Sequence, residues 1–148
     1  MPSAVRGPSS PRNFAGRQKN RAHALSWRVF MKQYPRAHLL TGSYDALEKL
    51  PKGHRSRAAL LKDLATAICR HGHYAVTTLR NIEDGDLAMV GVERRQDADR
   101  LSRMVDARIA PVFGGWHSHR SFSFDEMAYA RIAARLAPRT GRKIAETA

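Results

Sequence analysis

The stretch that decides the fold is YAVTTLRNIEDGDLAMVGV, residues 74–92. Its two ends, residues 74–79 and 87–92, are rich in β-branched and apolar residues, which favours β-strands. Residues 83–86 between them contain an Asp-Gly pair, which is typical of a hairpin turn. The sequence therefore predicts a β-hairpin in the middle of the chain.

The residues that follow the hairpin predict a helix, a strand and a last helix. From Asp97 onward the apolar residues recur at helical spacing, so we expect an inward stripe made of Ala98, Leu101, Met104, Val105 and Ala107 or Ile109. Ser123 and Glu126 form a capping box, which predicts that the last helix begins there and runs to Ala137. Residues 73–137 thus read as β-β-α-β-α, with the first and third strands expected to run antiparallel.

The third strand of this unit, residues 116–124, alternates in polarity and so has two distinct faces. One face carries Trp116, Phe122 and Phe124. The other face carries His117, His119, Ser121 and Ser123. Because a buried hydroxyl or imidazole needs a hydrogen-bond partner, we expect the aromatic face to be buried and the two histidines to be accessible.

Residues 20–72 are predicted to be mainly helical. A helix over residues 21–34 ends before Pro35, and its apolar stripe of Trp27, Phe30, Met31 and Tyr34 is interpreted as core. A short strand over residues 38–42 and a brief helix from Ser43 to Leu50 follow. Ser56 is the expected cap of a stronger helix that ends at Gly72 and contains Cys69, which is interpreted as a buried apolar residue.

Together these elements predict an α+β fold. We expect a small, largely antiparallel sheet of three to four strands, with a β-β-α-β core covered by helices and with further helices at the N-terminal side. The expected organisation is a flexible, disordered basic arm at residues 1–19, a single domain at 20–138 and a basic C-terminal tail at 139–148. The domain divides into a mainly helical part, 20–72, and a β-β-α-β-α part, 73–138.

Length and composition exclude several classes of protein. A chain of 148 residues is long enough for one domain with a real core. A single cysteine excludes a disulfide framework and is typical of a reducing cytosol, so we expect a cytoplasmic protein. No uncharged run is long enough for a transmembrane helix, and no cofactor motif is apparent. The sequence leaves the oligomeric state open.

The charge distribution points to a polyanionic partner. The net charge is +13, and residues 1–44 contain eight Lys and Arg residues but no Asp or Glu. Clustered bases neutralise phosphates and release condensed counterions, so we expect DNA or RNA binding mainly through the phosphate backbone. The basic residues expected to contact these phosphates are Arg12, Arg17, Lys19, Arg21, Arg28, Lys32, Arg55 and Arg57. The competing explanation is base composition, since Ala- and Arg-rich chains are typical of GC-rich bacterial genomes.

His117-Ser118-His119 is the segment that suggests an alternative function. With Tyr129 it resembles the HUH-type single-strand nucleases, although Ser118 stands where that family has a bulky apolar residue and the tyrosine follows sooner. With Ser123 and Asp125 it is similar to the JAMM metalloproteases, although Arg120 replaces their proline and the Ser and Asp come earlier. Each resemblance covers about ten residues, and neither identifies the chain as a member of the family.

Two further functions therefore stand beside nucleic-acid binding. The first is a metal-dependent nuclease in which His117, His119 and Asp125 would hold the ion and Tyr129 would be the nucleophile. The second is a non-catalytic adaptor or inhibitor whose basic arm binds an acidic protein. We expect no metal at the histidines, since a solvent-facing pair of imidazoles is the simpler interpretation of the alternating strand.

Overall fold

The computed structural model describes residues 23–48, 50, 55–80 and 85–137. The expected basic arm, residues 1–19, and the expected tail, residues 139–148, lie outside the described residues. In the described part the helices are α1 (Trp27–Gln33), α2 (Arg57–Ile68), α3 (Arg95–Val105) and α4 (Glu126–Leu136). The strands are β1 (His38–Tyr44), β2 (Tyr74–Leu79), β3 (Asp86–Val92), β4 (Arg108–Ile109) and β5 (Ser118–Ser123).

The α+β class is confirmed, but the expected number and arrangement of strands were wrong. The described strands form one five-stranded mixed sheet in the order β2-β3-β1-β5-β4. The β1–β5 pair is parallel, and the other three pairs are antiparallel. β1 is the central strand, because its buried run from His38 to Gly42 is covered on both faces of the sheet.

The brief helix expected from Ser43 is replaced by the end of β1. Ser43 and Tyr44 pair with Leu87 and Asp86 of β3, which keeps them extended. The chain then turns at Asp45, whose Oδ1 accepts a hydrogen bond of 2.9 Å from the Leu47 N–H. Asp45 therefore stabilises a turn rather than the first turn of a helix.

The insertion of β1 also reverses one expected strand direction. β2 is antiparallel to β3, β3 is antiparallel to β1, and β1 is parallel to β5, so β2 and β5 run parallel. The expected antiparallel relation was wrong because the crossover from β3 to β5 skips over β1. As a result, one end of the sheet contains the starts of β1, β2 and β5 and the end of β3. We call this the upper end of the sheet.

The main core lies on one face of the sheet, under α2, α3 and α4. Leu40, Val90 and Phe122 project from neighbouring strands into it, and Phe124 and Cys69 are fully buried there. The interpretation of Cys69 as a buried apolar residue is confirmed, and burial raises the pKa of its thiol far above the usual range. This face supplies most of the apolar burial that stabilises the domain.

The opposite face is covered near the upper end by α1. Phe30 is fully buried and packs with Leu39, Ala75 and Trp116. Gly91 allows this close approach, because a Cβ there would lie 2.7 Å from Phe30 Cε1. The aromatic stripe of α1 is therefore core, as the sequence predicted, and Trp27 contributes as a half-buried neighbour of Trp116.

Two local expectations were also corrected at helix ends. Ile109, proposed as an inward helical residue, lies in β4 and is 91% exposed, because α3 ends at Asp106 with a left-handed backbone (φ 57°). The last helix is capped by Asp125, whose Oδ1 accepts from the Ala128 N–H, rather than by Ser123. Ser123 is held in β5 opposite Ser43, so it is not free to cap.

Candidate functional site

The His-Ser-His segment lies at the upper end of the sheet, beside the start of β1. The His117 N–H donates to the Ala37 carbonyl at 2.8 Å, which aligns the two chains before they pair. In the parallel register Ser118 is then the partner of His38. The His117 side chain is exposed, and its ring meets the His38 ring edge to face at 5.3 Å. The backbone register therefore brings a third histidine to the segment.

His38 and Ser118 form a hydrogen-bonded pair on the main-core side of the sheet. His38 Nδ1 lies 2.7 Å from Ser118 Oγ, and only 7% of His38 is exposed. Burial lowers the pKa of His38, and the positive charges of Arg120 and Arg95 lower it further. Since the ordinary value is already 6.5, the His38 imidazole is neutral at pH 7.

His119 lies on the opposite face and is held by two partners. Its Nδ1 donates to the Pro111 carbonyl at 2.9 Å, which leaves Nε2 to accept from the Thr41 hydroxyl at 2.9 Å. Its ring also contacts Phe113 edge to face at 5.2 Å. His119 is thus partly buried and structurally engaged, whereas His117 is exposed. Trp116 and Phe122 are buried as expected, but the expectation that they share one face was wrong: Trp116 packs under α1, and Phe122 lies in the main core on the opposite face.

Arg120 is a buried cation next to the His38–Ser118 pair. Its Nη2 donates to Asp99 Oδ1 on α3 at 2.7 Å. Its Nη1 is also buried, and within the described residues it has no hydrogen-bond partner. This guanidinium is removed from water and has a buried donor that forms no hydrogen bond among the described residues. An anion that accepted a hydrogen bond from Nη1 would therefore be stabilised there.

These side chains line a cavity of about 240 Å³ that we call the His–Arg pocket. The polar residues of the pocket are His38, Arg95, His117, Ser118, His119 and Arg120, and its apolar wall is Ile109, Ala110 and Val112. None of these lining residues is Asp or Glu. The pocket therefore combines the guanidinium groups of Arg95 and Arg120, the imidazoles of His38 and His117 and the Ser118 hydroxyl, which suits an anion.

Exposed arginines border the pocket at the upper end, and one of them, Arg95, also lines it. Arg36 precedes β1, and Arg94 and Arg95 follow β3, and all three are exposed; we call them the basic rim. Arg94 is also the N-cap of α3 and makes no side-chain capping bond, and Asp97 in the first turn of α3 offsets the positive end of the helix dipole. The positive potential at this end therefore comes from the arginine side chains.

His23, the first residue that the structure describes, lies at the upper end of the sheet. The carbonyl of His23 accepts a hydrogen bond from the Tyr74 N–H at 3.0 Å, next to the start of β2. Residues 1–22, which contain Arg12, Arg17, Lys19 and Arg21 and no acidic residue, lie outside the described residues. Their covalent attachment point is therefore at the upper end of the sheet, on the same side as the basic rim.

The other expected phosphate-binding residues lie in different places. Arg28 and Lys32 are exposed on α1. Arg55 is exposed and pairs with Asp63. Arg57 is only 6% exposed: its Nε donates to the Phe124 carbonyl at 2.8 Å, its Nη2 pairs with Glu48, and its guanidinium lies 4.6 Å from the centre of the Tyr44 ring. Arg57 is thus engaged in the interior, near the lower end of β5.

The residues of the nuclease alternative are not brought together. Asp125 is engaged as the cap of α4 and lies beyond the lower end of β5, whereas His117 precedes its upper end. The whole length of β5, about 16 Å at the usual strand rise, therefore lies between them. Tyr129 is 4% exposed on the main-core side, where its hydroxyl donates to the Arg55 carbonyl. Among the residues that the structure describes, no group of three His, Cys, Asp or Glu side chains could hold a metal ion.

His71 and His73 do not join the pocket either. Because β2 runs parallel to β5, His73 lies at the upper end, but three strand spacings, about 14 Å, separate β2 from β5. His73 instead contacts the Tyr34 hydroxyl at 2.8 Å and Glu93 at 3.2 Å. The antiparallel relation that the sequence predicted for these two strands would have placed His73 near Phe124, at the other end of β5; the parallel relation rules this out.

A larger cavity of about 560 Å³ lies towards the lower end of β5. Its wall contains the hydroxyls of Thr41, Ser43, Ser121 and Ser123 together with Asp106, Arg108, Asp125 and Arg131. Its lining residues include two carboxylates and two guanidinium groups, so their formal charges cancel. The smaller His–Arg pocket has the more distinctive chemistry.

Sequence reasoning missed His38, Arg95 and Arg120 as site residues. One signal was available for Arg120. It stands two residues before Phe122 on the same strand, so the alternation that buries Phe122 also turns Arg120 towards the core face. His38 carried no such signal, since only the parallel register with β5 places it against Ser118.

Comparisons with known proteins do not indicate a family or a function for this chain. No helix in the described ranges is long and apolar enough to cross a membrane. No protein-family model, curated protein or solved structure matches this chain.

Proposed function

We propose that the protein binds DNA or RNA through the phosphate backbone at the upper end of the sheet. The observation that carries this proposal is the meeting of three cationic features at one end of the fold. They are the exposed basic rim of Arg36, Arg94 and Arg95, the His–Arg pocket and the attachment point of the acid-free N-terminal residues. Such clustering concentrates positive potential where several consecutive phosphates would lie.

The proposal retains Arg12, Arg17, Lys19 and Arg21, since they are joined to the fold at the upper end. It also retains Arg28 and Lys32, which are exposed on α1 above the same end of the sheet. It replaces Arg55 and Arg57 by the basic rim, because the structure pairs Arg55 with Asp63 and engages Arg57 in the interior. Contacts of this kind give affinity without base specificity.

Salt-dependent binding tests the proposal. Fluorescence anisotropy of a labelled duplex, measured over a series of salt concentrations, is compared for the parent and for the triple variant Arg36→Gln, Arg94→Gln, Arg95→Gln. Each lost phosphate contact reduces the log–log salt slope by about 0.9, so the variant should bind more weakly with a slope shallower by up to about 2.7. Deletion of residues 1–19 removes four basic residues, so it should reduce the salt slope by up to about 3.6.

A matched control keeps the net charge of the triple variant. Arg80, Arg103 and Arg131 are also exposed, but they lie at the end of β2, the last turn of α3 and the middle of α4. Their replacement by Gln should leave the slope close to that of the parent. Equal losses for the two triple variants would show that only net charge matters and would overturn the proposed surface. Equal affinity for poly-glutamate and for DNA would instead favour the acidic-protein partner.

A further inference from the structure

We propose that the His–Arg pocket binds a phosphate monoester, the terminal phosphate of a nucleic-acid strand. This inference rests on the proposed function, because it identifies which part of the nucleic acid enters the pocket. The basic rim contacts phosphates along the backbone, whereas the pocket behind the rim takes the end of the strand.

Arg120 is the first reason to expect a bound anion. It is about nine-tenths buried, one arm of its guanidinium is used by Asp99, and the Nη1 arm is buried without a partner among the described residues. Leaving a charged donor unsatisfied in the interior is unfavourable, whereas a phosphate oxygen would satisfy it with a charge-assisted hydrogen bond. Asp99 neutralises one of the two arginine charges of the pocket, and Arg95 remains without a carboxylate among the pocket-lining residues.

The hydrogen-bond donors of the pocket match phosphate oxygens. With the proton of His38 on Nδ1, that nitrogen donates to Ser118 Oγ and the Ser118 hydroxyl is free to donate to a ligand. His117 is exposed at the same pocket, and its ring contacts the His38 ring edge to face. Arg95, Arg120, Ser118 and His117 therefore present donors from two elements, α3 and the start of β5.

The shape of the pocket favours a monoester over a phosphodiester. A backbone phosphate carries a sugar on each side and must lie along an open surface, as the exposed rim allows. The pocket is instead a cavity of about 240 Å³ whose inner residues, His38 and Arg120, are both more than nine-tenths buried. A terminal phosphate has one ester bond, so it can enter end-on, and it carries nearly two charges at neutral pH rather than one.

The test compares strand ends on the full chain. Three single-stranded oligonucleotides of one sequence carry a 5′-phosphate, a 3′-phosphate or hydroxyls only, with the fluorophore at the unmodified end or in the middle. We expect at least one phosphorylated form to bind about tenfold more tightly than the hydroxyl form at the same salt concentration, which is the effect of one good charge-assisted hydrogen bond. Equal Kd values for all three would overturn the inference and leave the proposed function standing.

Two variants locate the effect. Arg95→Gln changes an exposed side chain that lines the pocket, and it should reduce the phosphate preference to about one. Arg94→Gln is its matched control: Arg94 is the adjacent residue of the rim but does not line the pocket, so it should weaken all three oligonucleotides and keep their ratio. A preference that survives Arg95→Gln and is lost in Arg94→Gln would overturn the assignment to the pocket.

A direct titration separates the pocket from the rest of the surface. Inorganic phosphate and a nucleoside 5′-monophosphate are added to labelled protein while the ring signals of His38 and His117 are followed by NMR. Saturable shifts that are absent in Ser118→Ala and Arg95→Gln support the pocket even if no oligonucleotide binds, in which case the proposed function alone fails. Absence of any saturable shift with either compound, together with equal oligonucleotide affinities, would overturn the inference.

Discussion

Replacement of Arg57 by Met tests whether this arginine holds the fold or contacts a ligand. The Phe124 carbonyl would lose its donor at 2.8 Å, and a buried acceptor left without a partner costs about 1–3 kcal/mol. Loss of the guanidinium beside the Tyr44 ring and of the pair with Glu48 adds about 1–2 kcal/mol. The expected decrease in the free energy of unfolding is therefore about 2–5 kcal/mol, which overlaps the range of about 3–5 kcal/mol seen when one member of a buried ion pair is removed.

Thermal and urea unfolding measure this decrease. For a chain of this length each kcal/mol lowers the Tm by about 2–4 °C, so Arg57→Met should melt about 4–20 °C below the parent. Arg55→Met is the matched control, because Arg55 is an exposed arginine two residues earlier, and its replacement should change the stability by less than about 0.5 kcal/mol. DNA affinity at a temperature where the variant is folded should be unchanged. Parent-like melting with a salt slope shallower by about 0.9 would refute the interior role of Arg57.

Two further predictions concern the histidines at the upper end. His119→Ala should lower stability by about 1–3 kcal/mol because the buried Thr41 hydroxyl loses its partner, whereas His117→Ala, at an exposed ring, should change it by less than about 0.5 kcal/mol. Urea unfolding measures both, and equal losses would contradict the two different environments. Burial holds the pKa of His38 below its ordinary 6.5, so the unfolded chain binds more protons and stability is lost as the pH falls below that value. In His38→Asn this loss should be smaller when Tm is followed from about pH 7.5 to 5, and an unchanged profile would show that other groups cause it.

Local pattern was sufficient for much of the secondary structure. β2 occupies residues 74–79 as predicted, and β3 begins one residue earlier than expected. Ser56 caps α2 through a hydrogen bond from the Ala59 N–H, as its position before the apolar stripe indicated. These features depend on residues within one or two turns of each other, so the sequence contains the information directly.

The burial of side chains along β5 was also readable from the sequence. Period-two alternation places Phe122 in the core and leaves His117 exposed. The same alternation contained a clue to Arg120, whose parity is that of Phe122. Phe122 and Arg120 thus show that strand parity assigns a face regardless of whether the residue is apolar or charged.

The neighbours of each strand, and with them the candidate site, were decided only by the tertiary structure. β1 separates β3 from β5 because its buried run needs cover on both faces, and that choice depends on how α1 and the other helices pack rather than on any local motif. It places His38 against Ser118, eighty residues away, and sets the end at which Arg95 and Arg120 meet. The same long-range packing draws Arg57 into the interior, where the Phe124 carbonyl and Glu48 supply partners. The sequence by itself determined the charge, the caps and the strand periods, since these are local; the pairing of distant segments is set by the burial of the whole chain.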